Sequence, residues 1–351
     1  MNKHGGYLGD NQKMLDFSIN INPLGMPESV RSSIISTIDH LGKYPEITGE
    51  TSIKQLAKSV GINADQLILG NGAIELIYLF AKSLKPQKAM IVTPTFNEYA
   101  RALTMNAQSE IRTWQLRAED DFQLDAAAFT ETVCDWHPEV IFICNPNNPT
   151  AKFHDHLFLE EMIQQCPEDV IWFIDESFID FSDRQSCLEF LKTGQSKMFL
   201  LRSLTKFFGI PGLRIGYGIG SQEIIRMMAE HKEPWTINAF ALEAVKTIYE
   251  NREYIEKTKT YIRTERQRVK EAVEKLPGIK VYESAADFHL YQTELKVLKL
   301  QKALHERNIN IRTCEDFPGL EEHFFRAAIK KTEDNDCFIT ALTEILTKEQ
   351  E

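Results

Sequence analysis

The stretch Ser203-Leu204-Thr205-Lys206-Phe207-Phe208-Gly209-Ile210-Pro211-Gly212-Leu213-Arg214 lies between two apolar runs, residues 198–201 and 215–219. Short apolar runs of this kind read as buried strands. The stretch carries a lysine, an arginine eight residues on, two hydroxyls and two glycines. A lysine among apolar neighbours is desolvated. Desolvation disfavours the ammonium, lowers the pKa and makes the amine a nucleophile for a carbonyl carbon. A surface loop carrying two ordinary cations would use the same letters, so the rest of the chain decides between the two.

Working outward, residues 89–92, 140–144 and 170–174 form further apolar runs and 111–116 reads as another strand, with helical stretches between them. Strands without polar alternation indicate a mostly parallel sheet covered on both faces. Polar motifs follow several of these strands. Asn145-Pro146-Asn147-Asn148-Pro149-Thr150 follows residues 140–144, Asp175-Glu176-Ser177-Phe178 follows 170–174, and Ser203 to Lys206 follows 198–201. Open α/β sheets place their ligands at the carboxyl ends of the strands. Asn148, Asp175, Ser203 and Lys206 at successive strand ends therefore point to one shared pocket. Upstream, Leu67-Ile68-Leu69-Gly70-Asn71-Gly72-Ala73-Ile74-Glu75 reads as strand, glycine turn and helix start, a form that suits phosphate.

The flanks read differently. The alternation in residues 17–21 predicts a short strand with Ser18, Asn20 and Asn22 on one face, and Pro27 opens a helix from Glu28. After residue 220 come helices at 221–231 and roughly 238–275, closed by Pro277-Gly278. Strands near 280–282, 288–292, 309–313 and 324–329 then indicate a small α+β domain. The expected division is an N-terminal arm and first helix (1–45), a large domain (46–245), and a small C-terminal domain with its linking long helix (246–351).

With 351 residues the chain can bury a large core. Its net charge of -11 argues against a nucleic-acid or anionic membrane surface, although a local pocket can still be basic. No apolar stretch is long enough for a membrane span, and no signal core opens the chain. The six cysteines form no CxxC pair and read as reduced thiols of a cytoplasmic protein, not as metal ligands. His154-Asp155-His156 has no partner cluster, so no metal site is expected.

The asparagine, aspartate and lysine motifs, with Arg214, keep an order and separation that resemble fold-type-I pyridoxal-phosphate enzymes of the aspartate aminotransferase superfamily. The resemblance implies the following roles. Lys206 would hold pyridoxal 5'-phosphate covalently and later shuttle protons at the substrate carbon. Asp175 would pair with the pyridine nitrogen and keep the ring an electron sink. Asn148 would donate to the phenolic oxygen, and Phe96 would stack on the ring. Ser203, Arg214 and the N–H groups of Ala73 and Ile74 would hold the cofactor phosphate. Tyr44 resembles the tyrosine that reaches that phosphate from a neighbouring subunit, which implies a homodimer. Ala151 stands where a glycine is usual.

Within the superfamily the chain resembles threonine-phosphate decarboxylases over nearly its whole length. The resemblance runs through His4-Gly5-Gly6, Asp16 to Gly25, Asp175 to Phe181, Arg202 to Phe207, Pro234 to Ala239, and Ile311-Arg312-Thr313-Cys314 with Pro318-Gly319-Leu320. It implies decarboxylation of O-phospho-L-threonine, with His4, Gly5, Asn20, Asn148, Arg312 and Arg326 contacting the substrate. Histidinol-phosphate aminotransferases share most of the set but usually carry tyrosine at Phe178. A phosphoserine decarboxylase would carry the same motifs. Independently of any family, a phosphoamino acid brings two anions, and Arg312 and Arg326 on neighbouring strands offer matching forks. A regulator of the same superfamily would add a DNA-binding module, which the acidic chain argues against.

Overall fold

The computed structural model describes residues 5–6, 14–192 and 197–348. Strand β1 (Leu15–Asp16) belongs to the N-terminal arm. Next come β2 (Leu67–Asn71), β3 (Lys88–Thr93), β4 (Glu110–Gln115), β5 (Val140–Cys144), β6 (Ile171–Asp175), β7 (Met198–Ser203) and β8 (Ile215–Gly220). They form one seven-stranded sheet in the order β2-β8-β7-β6-β5-β3-β4. The run from β7 to β4 is parallel, whereas β8 is antiparallel to both of its neighbours.

That reversal positions the site. The amino end of β8 lies beside the carboxyl end of β7, Ser203 opposite Gly216. The carboxyl end of β2 lies there too, Asn71 opposite Ile215. Arg214, just before β8, and the Gly72 turn, just after β2, thus share an edge with Asp175 and Lys206.

The sheet is covered on both faces. On one, Phe80 of helix Ala73–Leu84 packs on Phe173 and Phe199 of adjacent strands, with ring centroids 4.9 and 5.2 Å apart. Burying each such ring contributes about 1.5–3 kcal/mol, and together they hold that helix on the sheet.

The smaller sheet is built from β9 (Ile279–Val281), β10 (Phe288–Thr293), β12 (Arg312–Thr313) and β13 (Phe324–Ala328), in the order β12-β13-β10-β9 and antiparallel throughout. Strand β11 (Ile309–Asn310) instead pairs with β1 of the arm, in parallel.

Three expectations change. Residues 17–21 are not a strand, because Asp16 Oδ1 accepts from the Ser18 N–H at 2.9 Å and from its hydroxyl at 2.6 Å, which turns the chain. Residues 309–313 divide between two sheets. The helix expected over 238–275 is two helices, Ala239–Thr247 and Arg252–Val273, the second capped by the side chain of Asn251.

Candidate active site

Two connected cavities open at the carboxyl edge of the large sheet. The inner one, of about 180 Å³, is lined by Ala73, Ile74, Phe96, Asn148, Asp175, Ser203, Lys206 and Arg214. The outer one, of about 650 Å³, is lined by Gly5, Asn20, Asn148, Lys206, Arg312 and Arg326, among others. Lys206 and Asn148 belong to both.

Asp175 ends β6 and is buried, with both oxygens engaged. Oδ1 accepts from the Ser177 N–H at 2.8 Å and Oδ2 from the Tyr99 hydroxyl at 2.6 Å. Burial, then the charge of Asp175, raises the Tyr99 phenol well above its usual range, so it stays a donor. Lys206 sits in a single helical turn, Leu204–Phe207, after β7. Its Nζ donates to Ser203 Oγ at 3.1 Å and stands 5.0 Å from the ring centre of Phe178. Burial lowers its pKa, opposed by the charges of Asp175 and Asp287.

At the other end of the inner cavity, Gly72 has φ +74, and a Cβ on it would come within 2.2 Å of Arg214 Nη2. Glycine there lets the guanidinium lie against the turn, beside the helix N-terminus at Ala73. A Cβ on Gly216 would meet Ala73 N at 2.7 Å, so that strand also closes in on the turn. The first-turn N–H groups of a helix have no intrahelical acceptor and favour an anion. Carboxylate at one end, cation and N–H groups at the other, an amine between and Phe96 on the wall fit pyridoxal phosphate in charge and donor set.

Asn148 lies in a turn held by the buried Asn147 side chain, which accepts from Thr95 Oγ1 at 2.9 Å and donates to Pro94 O and Thr150 Oγ1, each at 2.8 Å. Asn148 Oδ1 accepts from Arg326 Nη1, and Arg326 Nη2 donates to Ser18 O at 2.8 Å. Arg326 Nε is buried without an acceptor, and so is Asn20 Oδ1 without a donor. Burial, reinforced by the like charge of Arg312, lowers Arg326 to about 10. Arg312 stands directly opposite Arg326 in the β12–β13 register and pairs with Asp316 at 2.7 Å. Like charges facing across a ladder destabilise it unless an anion joins them.

Asn22, in contrast, is an anchor. Its Nδ2 donates to Phe207 O at 2.7 Å, Tyr254 Oη at 2.8 Å and Thr258 Oγ1 at 3.0 Å, and its N–H donates to Lys206 O. It ties the arm to the lysine turn. His4 lies outside the described residues. Gly5 lines the outer cavity, and the neighbouring Gly6 N–H donates to Ser18 Oγ at 3.2 Å. Tyr44 lines neither cavity of its own chain. It is 87% exposed, with its ring centroid 5.6 Å from that of Trp235, and Ile35, Ile38, Leu41 and Ile47 in the same stretch of chain are exposed too.

Sequence reasoning missed Tyr99, which reads as a helix core aromatic, and Asp316, which reads as a loop residue. Each acts on a partner that no local pattern links to it.

Comparison with known proteins bears on the family and the fold. The family model described as aminotransferase class I and II matches residues 12–342. The threonine-phosphate decarboxylase of Salmonella typhimurium is 36% identical over 337 residues, 95% of this chain and 92% of that protein. The solved structure of the histidinol-phosphate aminotransferase from Clostridium acetobutylicum superposes with a TM-score of 0.89 at 32% identity, covering 95% of this chain and 100% of that one. The L-threonine-O-3-phosphate decarboxylase from Porphyromonas gingivalis shares the fold, with a TM-score of 0.85 at 24% identity and coverage of 95% and 100%.

Proposed function

The chain belongs to the aminotransferase class I and II family, whose members bind pyridoxal 5'-phosphate, and from that premise we propose that it decarboxylates O-phospho-L-threonine to (R)-1-aminopropan-2-yl phosphate and CO2, a step in building cobalamin. The observation that carries this reading is the pair of opposed arginines, Arg312 and Arg326, lining one cavity that also holds Lys206. A substrate with a carboxylate and a phosphate matches two guanidinium groups, and Arg is suited to both anions.

The residues divide the work as follows. Asp175, fixed by Tyr99 and Ser177, would face the pyridine nitrogen. Arg214, Ser203 and the N–H groups of Ala73 and Ile74 would hold the cofactor phosphate, with Phe96 against the ring. Bound there, the cofactor supplies an electron sink for the pair left when the Cα–carboxylate bond breaks. Asn148, shared between cavities, sets the ring against the substrate side. Asn20, Gly5, Arg312 and Arg326 would orient the phosphoamino acid so that the carboxylate is the group lost. Lys206 Nζ, whose basicity burial lowers, would return one proton to Cα, which balances the loss of CO2.

Tyr44 would serve the cofactor phosphate of a neighbouring subunit in a homodimer, in keeping with its exposed apolar surroundings. If so, mixing Lys206→Ala subunits with Tyr44→Ala subunits restores turnover, because one site of each mixed dimer is then intact. No recovery would place Tyr44 outside the site. Among the described residues no helix is long and apolar enough to cross a membrane.

The deciding assay is CO2 release from phosphothreonine by the holoenzyme. The relative from Clostridium acetobutylicum motivates a second reading, the aminotransferase. Amino transfer from histidinol phosphate to 2-oxoglutarate without CO2 release from phosphothreonine would establish that one instead. Faster release from phosphoserine would move the assignment to the smaller substrate. A methyl pocket discriminates by only about 1–3 kcal/mol.

A further inference from the structure

Asp287, immediately before β10, has no part in the chemistry above. Its side chain is 0% exposed, and neither carboxyl oxygen has a hydrogen-bond partner. Its own N–H favours the anion more than any single cation does, although it lies outside hydrogen-bond geometry. An isolated buried carboxylate is costly, and such groups are normally paired or neutral.

The surroundings are charged on several sides. The cations that act on Asp287 are Lys330 beyond the end of β13, Arg326 within β13 and Lys206 in the large domain. Arg266 of the long helix donates to the adjacent carbonyl of Ala286 at 2.9 Å. His289, two residues along the strand, is buried and held neutral, its pKa lowered to about 4. Phe288, next in the chain after Asp287, packs beside one of these cations. Its ring meets Phe178 edge-on at 5.1 Å, and the Arg326 guanidinium lies 5.2 Å from its centre. Lys330 is itself engaged, donating to Ile19 O at 3.1 Å.

We propose that Asp287 is the internal counter-charge of the substrate pocket: it carries a negative charge while the pocket is free of substrate anions and takes up a proton from solvent when they bind. The inference rests on the reading that the pocket takes a phosphoamino acid. An incoming anion neutralises Arg326, and the attraction that holds Asp287 ionised then weakens. Burial alone favours the neutral acid. In the substrate-free pocket these opposing effects leave the carboxyl raised to about 7, where a change in the neighbouring charge moves it across neutrality. The proton is not part of turnover. It sets how affinity depends on pH: affinity falls as pH rises above neutrality, because the proton that must be taken up becomes scarcer.

The test uses holoenzyme and 3-phosphoglycerate, which has both anions but a hydroxyl in place of the amine and so cannot react. Titration calorimetry at pH 8 in two buffers of different ionisation enthalpy counts protons taken up per ligand bound. Wild type should take up roughly 0.5–1 proton, and Asp287→Asn should reduce that number by roughly half or more. Asp287→Ala, a second neutral side chain, should behave as Asp287→Asn does, whereas a merely structural role for the residue would leave proton uptake unchanged. Binding with equal uptake in wild type and both variants would overturn the counter-charge while sparing the substrate reading. Failure of wild type to bind 3-phosphoglycerate from pH 6 to 9 would overturn the substrate reading, and the proposal with it.

Discussion

The inner cavity draws its polar lining from neighbouring ends of one sheet and the turns that leave them, the Asn148 turn included, whereas the outer cavity adds to the shared Asn148 and Lys206 the distant arm, β12 and β13. Their hydrogen bonding differs in step. Both oxygens of Asp175 are engaged, and the Asn147 side chain is fully committed to its turn. Around the outer cavity, Asn20 Oδ1, Arg326 Nε and Asp316 Oδ1 are buried without partners. Leaving a buried polar group unsatisfied costs about 1–3 kcal/mol. The inner end is thus complete as a framework for a resident group, while the outer end keeps an unmet donor, Arg326 Nε, for a visiting anion and unmet acceptors, Asn20 Oδ1 among them, for a donor that comes with it.

Lys206 joins the two regions, and its loss should have the largest effect. Lys206→Ala should lower turnover roughly 10⁴-fold or more, since amine attachment and proton return both fail. Borohydride should then fix no cofactor to the protein, as mass spectrometry would record. Retained covalent cofactor would mean that another lysine serves.

Arg326→Ala should strike mainly the outer region. Substrate affinity should fall by roughly 2–5 kcal/mol, because the variant removes one anion partner and frees Asn148 Oδ1. Cofactor affinity should change far less. An isotherm for each ligand measures the contrast, and equal losses would show that the two cavities are one energetic unit.

The same contrast governs what the sequence made legible. Asn148, Asp175 and Ser203 to Lys206 stand directly after apolar runs, so their convergence follows from strand order alone. The outer site depends on how separate segments meet. Arg312 and Arg326 could be placed on neighbouring strands, but nothing near them announces their direct register, or that Ile309 and Asn310 leave for the arm while Arg312 stays in the small sheet. Alternation in residues 17–21 favoured a strand, and one side chain, Asp16, overrode it by capturing the Ser18 N–H and hydroxyl. Asp287 reads as an ordinary residue before a strand. Its isolation becomes visible only once Phe288, Ile329 and the long helix are packed around it.

The smallest expected effect is at Ala151, and it tests how firmly the inner framework is held. Ala151 has φ 57, a left-handed conformation that usually calls for glycine, and it is fully buried. A side chain there costs about 1–2 kcal/mol. Ala151→Gly removes that cost, but it also removes a buried methyl worth about 0.8 kcal/mol and adds about 0.4–1 kcal/mol of chain entropy to the unfolded state. The terms nearly cancel, so stability should change by less than roughly 1 kcal/mol. Asn147 meanwhile keeps its bonds to Pro94, Thr95 and Thr150, and the Ala151 N–H bond to Asn147 O uses only backbone atoms. Cofactor affinity should therefore stay within roughly twofold, which is about 0.4 kcal/mol. A tenfold loss would mean that the Ala151 methyl, and not the asparagine network, sets the position of Asn148.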